Sequence, residues 1–238
     1  MENQKAFWCL GLNSCLVCGS YNCEEHELCS NCTKKLNTKI LLRCQDFFSA
    51  DLGIKFPILS LIDWIPAESD HLSRFFLRIK GTQLRKIWCY LAKLFLKQSV
   101  LLPIKNELLS ISRTVPCPSK MAKPDHAEQW ALALAGEMNW SYSPILQWQG
   151  QLEEKQRSKT GRERWDFKRQ KHVKFTVTPG FAPDPHKENP LETNWIFVDD
   201  VVTTGATAAQ AYIALGQPKN FMVLALGRRA SVANNSRI

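Results

Sequence analysis

The chain has 238 residues and carries 31 Lys and Arg against 22 Asp and Glu, a formal charge of +9. That length can bury a good-sized core and suits one ordinary domain with a small appendage. No apolar run approaches a membrane span, the longest at 58–65 and 99–104 being short or broken by proline and charge.

The basic excess favours phosphate-bearing partners or an anionic membrane surface, with a solvated basic surface as the plainer alternative. The opening Met-Glu-Asn-Gln-Lys lacks a charged-then-apolar signal pattern. The expected setting is the reducing cytoplasm, with peripheral association at the inner face of the membrane compatible with the charge. There, nine cysteines are not expected to form a disulfide framework.

Four of them form two pairs, Cys15-Leu-Val-Cys18 and Cys29-Ser-Asn-Cys32, separated by ten residues. Each pair can turn two thiolates toward one ion, and two pairs complete the tetrahedron of a structural Zn²⁺ with no open position for catalysis. Gly19 suits the tight turn after the first pair. Cys9, Cys23 and His26 lie close enough to replace a ligand, but the paired spacing favours Cys15, Cys18, Cys29 and Cys32. A redox pair is the alternative, and no βαβ pattern surrounds it. Isolated Cys44, Cys89 and Cys117 read as packing. A small zinc-finger or zinc-ribbon-like segment over 1–36 is expected, followed by a connector and helical segment over 37–112.

Within that second segment, 37–57 reads as a mixed connector and 58–64 as β-prone. Asp70 can cap a helix running to Lys80, Gly81 interrupts it, and Thr82 begins another. In the second helix Leu84, Ile87, Trp88, Leu91, Leu94 and Phe95 recur at helical spacing, with Arg85, Lys86, Lys93 and Lys97 among them. A stripe so regular predicts core packing before a membrane-surface or partner helix.

From 113 to 230 helices alternate with strands. A short strand over 114–117 runs into Pro116-Cys117-Pro118, and Asp125 with Glu128 reads as the cap of a helix over 127–138. Residues 155–174 carry nine Lys or Arg and only Glu163 and Asp166 as acids. With Trp165, Phe167 and Phe175 this stretch can track a phosphate backbone and stack bases, as single-stranded DNA binding requires. It can equally serve as a mobile lid or a solvated loop. Arg162 and Arg164 are the candidates for phosphate contact. A β-prone run at 173–178 follows, then a strand over 195–199, a helix over 206–215 ending at Gly216, and a strand over 221–226. The expected fold class is α/β, with a parallel sheet covered on both faces, and 231–238 is a polar, frayed tail.

Residues 196–207 read Ile-Phe-Val-Asp-Asp-Val-Val-Thr-Thr-Gly-Ala-Thr. A buried parallel strand here delivers Asp199 and Asp200 to its carboxyl end, where ligands of such sheets gather. The carboxylates suit the vicinal hydroxyls of a ribose and a bound Mg²⁺. The loop of Thr203, Thr204, Gly205, Ala206 and Thr207 can converge backbone N–H groups and hydroxyls on a phosphate at a helix N-terminus. An ordinary strand-turn-helix junction with Asp200 or Thr203 as cap explains only one of these polar residues.

This ordered set resembles the phosphoribosyl pyrophosphate (PRPP) loop of the type I phosphoribosyltransferases. The resemblance implies ribose-hydroxyl and catalytic roles for Asp199 and Asp200, and 5'-phosphate binding by Thr203, Thr204, Gly205, Ala206 and Thr207. The wider layout is similar to that of the ComF family of bacterial competence proteins: cysteine knuckles, Phe75-Phe76-Leu77-Arg78-Ile79-Lys80-Gly81, Val115-Pro116-Cys117-Pro118, then the PRPP loop. Such proteins usually carry an Arg-Gly-aromatic-Asn-Gln block after the Val-Pro strand; this chain has Ala122-Lys123-Pro124-Asp125-His126. By position, pyrophosphate contacts would fall on residues 117–120, Lys120 among them, and His126 reads as a polar first-turn residue more than a catalytic base. The resemblance implies a protein of single-stranded DNA uptake in natural transformation, with a helicase-like partner and a PRPP-type site. The alternative is an active transferase moving the phosphoribosyl group of PRPP·Mg²⁺ to a base or amine nitrogen.

Overall fold

The computed structural model describes residues 14–21, 27–49, 53–64, 71–79, 85–99, 112–119, 126–148, 175–179 and 194–229. In chain order these form α1 (Ser30–Asn37), β1 (Ile40–Ser49), β2 (Ile54–Trp64), α2 (His71–Ile79), α3 (Arg85–Ser99), β3 (Ser112–Pro116), α4 (His126–Met138), β4 (Ser141–Tyr142), β5 (Leu146–Trp148), β6 (Phe175–Val177), β7 (Asn194–Val202), α5 (Ala206–Ala214) and β8 (Phe221–Arg229). No described helix is long and apolar enough to cross a membrane.

Six strands build the main sheet in the order β1-β2-β8-β7-β3-β4. All neighbours are parallel except β1, which pairs antiparallel with β2 at one edge. The fold is therefore α/β around a mostly parallel sheet, as the alternation of elements predicts. Period-two packing shows why both faces need cover: Ile196, Val198, Met222, Leu224 and Leu226 join α2, α3 and α4 in one core. The residues between them, Trp195, Phe197, Phe221, Val223 and Ala225, join α5 and the small β5-β6 pair in another. A sheet buried on both faces reads as continuous apolar runs, which is how β7 and β8 read.

The helices fall close to expectation. Of the predicted stripe in α3, Ile87, Trp88, Leu91 and Phe95 are buried and Leu94 is half-buried against the same core, while Leu84 lies outside the described residues. Helix α2 buries Leu72, Phe75, Phe76 and Ile79. The β-prone run at 173–178 forms strand β6, but it pairs with β5 outside the main sheet.

The connector expected over 37–57 is instead the end of α1, then β1 and the start of β2. Within that strand Pro57 cannot donate to a ladder. It is tolerated because β2 meets β8 only from Ile58 onward, so at Pro57 the strand has β1 alone as neighbour, through Asp46. The knuckle region also packs into the main body: Cys15, Val17, Leu28 and Leu36 share one core with α2 and α3. Tyr90 of α3 donates from its hydroxyl to Asn37 Oδ1 of α1 at 2.8 Å.

Candidate functional site

From β3 the chain passes through α4 to β4 on the outer side, whereas β7 lies on the inner side and leads through α5 to β8. The strand order thus reverses between β3 and β7. Such a point opens a crevice beyond the carboxyl ends of the two strands, where open α/β sheets take their ligands. Two sequence candidates meet there. The Cys117 N–H donates to Val198 C=O at 2.8 Å, tying the Val115-Pro116-Cys117 turn to β7 one residue before Asp199.

Asp199 and Asp200 are both half-buried at that end of β7. Asp199 Oδ1 accepts the Asp200 N–H at 2.9 Å, and Asp200 Oδ1 accepts the Val201 N–H at 2.7 Å. These bonds hold the carboxylates near the backbone. The Asp200 Oδ2 lies 3.6 Å from His126 Nε2, at the first residue of α4. His126 is thus a first-turn residue, as expected, but it also faces the acidic pair. That contact joins residues 74 apart in the chain, and no local pattern could have announced it.

Beyond Val202 the loop turns sharply. Thr203 is exposed, Thr204 and Thr207 are half-buried, and Gly205 and Ala206 are buried. Gly205 has φ +71 and is the N-cap of α5. This left-handed conformation is the one glycine adopts without steric cost. A Cβ there would meet Phe47 of β1 at 2.5 Å from Cδ2 and 2.8 Å from Cε2, so the space is also filled. Thr204 Oγ1 accepts the Ala206 N–H at 3.5 Å, folding the loop back on the helix start. The first turn of a helix presents N–H groups without intrahelical partners, the basis of anion binding at such ends.

Beside the crevice, Tyr142 of β4 donates to Glu128 Oε1 of α4 at 3.1 Å. Burial first, then the adjacent Glu128 charge and this bond, hold the Tyr142 hydroxyl well above its ordinary pKa. Lys120, Arg162, Arg164 and the 122–125 stretch lie outside the described residues.

The second constellation is the cysteine centre. The four Sγ atoms of Cys15, Cys18, Cys29 and Cys32 all lie within 4.8 Å of one another. Tetrahedral bonds of about 2.3 Å from zinc to sulfur place sulfurs about 3.8 Å apart, and Cys18 and Cys29 have their Sγ atoms 3.7 Å apart. The donor set can hold a metal such as zinc. Local structure explains the convergence. The Gly19 N–H donates to Cys15 C=O at 2.8 Å, closing the first knuckle, and Leu16 N–H donates to Glu27 C=O at 3.0 Å, joining the two halves. Cys29 caps α1 and Cys32 lies in its first turn, three residues on and so on the same side.

Burial opposes a free Cys15 thiolate, yet the N–H groups of Cys18, Cys29 and Val17 outweigh it and bring the thiol down to about 6. Burial and the three neighbouring thiols push Cys32 up. Four thiols this close cannot all ionise unless a cation offsets their mutual repulsion, so metal binding there releases protons. Cys9, Cys23 and His26 lie outside the described residues.

No protein-family model matches this chain, and no curated protein does either. The site therefore rests on its own geometry. What that geometry offers is an acidic pair, a glycine-centred hydroxyl loop and a helix start on one side of the β3-β7 crevice. The proline-bounded turn of β3 and His126 stand on the other.

Proposed function

We propose that the chain is a type I phosphoribosyltransferase-like protein that binds PRPP, or a close sugar phosphate, with Mg²⁺ at the carboxyl end of β7. The observation that carries this reading is the order of Asp199-Asp200 and Thr203-Thr204-Gly205-Ala206-Thr207 at the switch point. The threonine loop and the start of α5 take the 5'-phosphate, and the carboxylates take the ribose hydroxyls and the metal ion. The cysteine centre holds structural zinc, with all four positions filled by protein.

The setting that best suits both parts is that of a ComF-like protein acting on single-stranded DNA during uptake. Support comes from the charge of +9 and from the nine basic residues of 155–174. Arg162 and Arg164 contact phosphate in this reading, Lys120 contacts pyrophosphate, and a helicase-like protein is the partner at the cytoplasmic side of the membrane. Turnover is the second reading, and the closeness of His126 to Asp200 favours it. In this reading a nitrogen nucleophile would bond to the ribosyl C1 as the C1–O bond to pyrophosphate breaks, and His126, paired with Asp200, would accept the proton that the nitrogen loses.

Calorimetric titration of PRPP into the zinc-loaded protein, with Mg²⁺ and with Mg²⁺ chelated, tests the proposal. Saturable binding that needs Mg²⁺ supports it, and absence of binding under both conditions contradicts it. Release of pyrophosphate with a particular acceptor would establish turnover.

A further inference from the structure

The exposed edge strand β1 reaches the ligand loop at two places. Alternation along its end leaves Phe48 facing solvent at 68% exposure while Phe47 is half-buried on the α5 side. The Phe47 ring occupies the space beside the Gly205 Cα where any other residue would carry its Cβ. That ring is braced from behind. It stacks on Phe56 at 4.7 Å and 17°, and Phe56 meets Phe221 at 5.1 Å and Tyr212 at 5.9 Å. Tyr212 lies on α5 itself, so Phe47 is wedged between the start of that helix and an aromatic cluster anchored farther along it.

The second point of attachment is two residues earlier. Arg228 of β8 donates from Nη1 to Gln45 Oε1. Its Nε and Nη2 hold both oxygens of Asp63 at 2.9 and 3.0 Å. Arg43 adds a looser pairing with Asp63 at 3.7 Å. Arg228 is also the register partner of Val202, the residue immediately before Thr203. Strand β1 is thus fastened beside the residue where the loop begins and again at the residue where it turns.

We propose that Phe47 is a positioning residue for the sugar-phosphate site, with β1 as the wall that holds the Thr203–Thr207 loop in its binding conformation before ligand arrives. The inference rests on the sugar-phosphate reading above, and it adds a residue that touches no ligand and lies 156 positions from Thr203. Holding a loop ready removes part of the ordering cost that binding would otherwise meet. Because Phe47 acts on the phosphate loop, its removal weakens every ligand bearing that phosphate alike.

The test uses the full chain and two probes with Mg²⁺: PRPP, and ribose 5-phosphate, which lacks the pyrophosphate. Phe47→Ala is expected to weaken both by about tenfold, the scale of one lost ordering contribution. Phe47→Leu restores most of the affinity, Gln45→Ala weakens both by about threefold, as a partial loss of the same fastening, and Phe48→Ala leaves both unchanged. Hydrogen exchange of the 203–206 amides should quicken in Phe47→Ala while the β8 amides keep their protection. Wild-type affinity for both probes, together with wild-type exchange in the loop, would overturn the proposal. If the unaltered protein binds neither probe, the sugar-phosphate reading fails, and the exchange comparison still decides whether Phe47 fixes the loop. If Phe47→Ala does not fold, Gln45→Ala carries both comparisons.

Discussion

Replacing Gly205 by alanine places one methyl group against two separate obstacles. At φ +71 an alanine pays the left-handed penalty of about 1–2 kcal/mol. Its Cβ would stand 2.5 Å from Phe47 Cδ2, where carbon atoms rest at about 3.5–4.0 Å. The ring cannot simply swing aside, because Phe56 backs it at 4.7 Å. Forcing an extra methyl into such packing costs about 1–3 kcal/mol. The sum is about 2–5 kcal/mol, a large part of a total stability of about 5–15 kcal/mol.

Urea unfolding followed by far-ultraviolet circular dichroism measures that cost, with the slope serving as a check that the denatured state is unchanged. A double-mutant cycle separates the two causes. In a Phe47→Ala background the steric obstacle is gone, so Gly205→Ala should cost only the left-handed penalty, a coupling of about 1–3 kcal/mol. An equal cost in both backgrounds would refute the contact. A cost below about 0.5 kcal/mol, the range of ordinary surface changes, would refute the left-handed constraint as well.

Two further outcomes follow from the structure and a third from the sequence. Stripping metal with a strong chelator should lower the melting temperature of the whole chain, because Cys15, Cys29 and Cys32 share a core with α2 and α3; an unchanged melting curve would show that the thiols hold no metal. Tyr142, whose hydroxyl is raised by burial and by Glu128, contributes stability that is full below its ordinary pKa of about 10 and is lost as pH rises through the higher folded value. Denaturation midpoints compared from pH 9 upward, a range set by that pKa of about 10, should therefore fall less steeply for Tyr142→Phe than for the unaltered chain, and parallel curves would remove the effect. Removing the charges of Arg162, Arg164, Lys168 and Arg169 should weaken single-stranded DNA binding and reduce its logarithmic salt slope by up to about 3, at about 0.7 per phosphate contact. Unchanged affinity would exclude this stretch from the DNA reading.

How far the sequence could be read depended on whether the deciding interactions were local. The unit β7, loop, α5 and β8 was legible because each part carries its own signal: an apolar run, paired acids, a glycine at the turn and an alanine-rich helix. The cysteine pairs were legible by spacing, and the structure brings the four thiols together. Most of β2 was legible as the β-prone run 58–64, whereas β1 and the start of β2 were hidden, since Arg43, Cys44, Gln45 and Asp46 blur the alternation and proline is uncommon inside a strand. Only the missing β8 neighbour at that level makes Pro57 acceptable. The two-residue β4 is below the length at which any pattern shows, and it is set by Thr114 donating to Ser141 C=O at 2.8 Å. The meetings of His126 with Asp200 and Phe47 with Gly205 are products of tertiary folding, and the residues flanking each contact carry no trace of them.

The central claim is that Asp199 and Asp200 serve a sugar-phosphate site. It is tested most directly by titrating PRPP·Mg²⁺ into the zinc-loaded protein and into an Asp199→Asn, Asp200→Asn variant, which keeps the shape and removes the charge. Binding is expected to be saturable in the unaltered chain and lost in the variant, with circular dichroism unchanged. Equal binding by both proteins would contradict the role given to the acidic pair, and binding by neither would contradict the site.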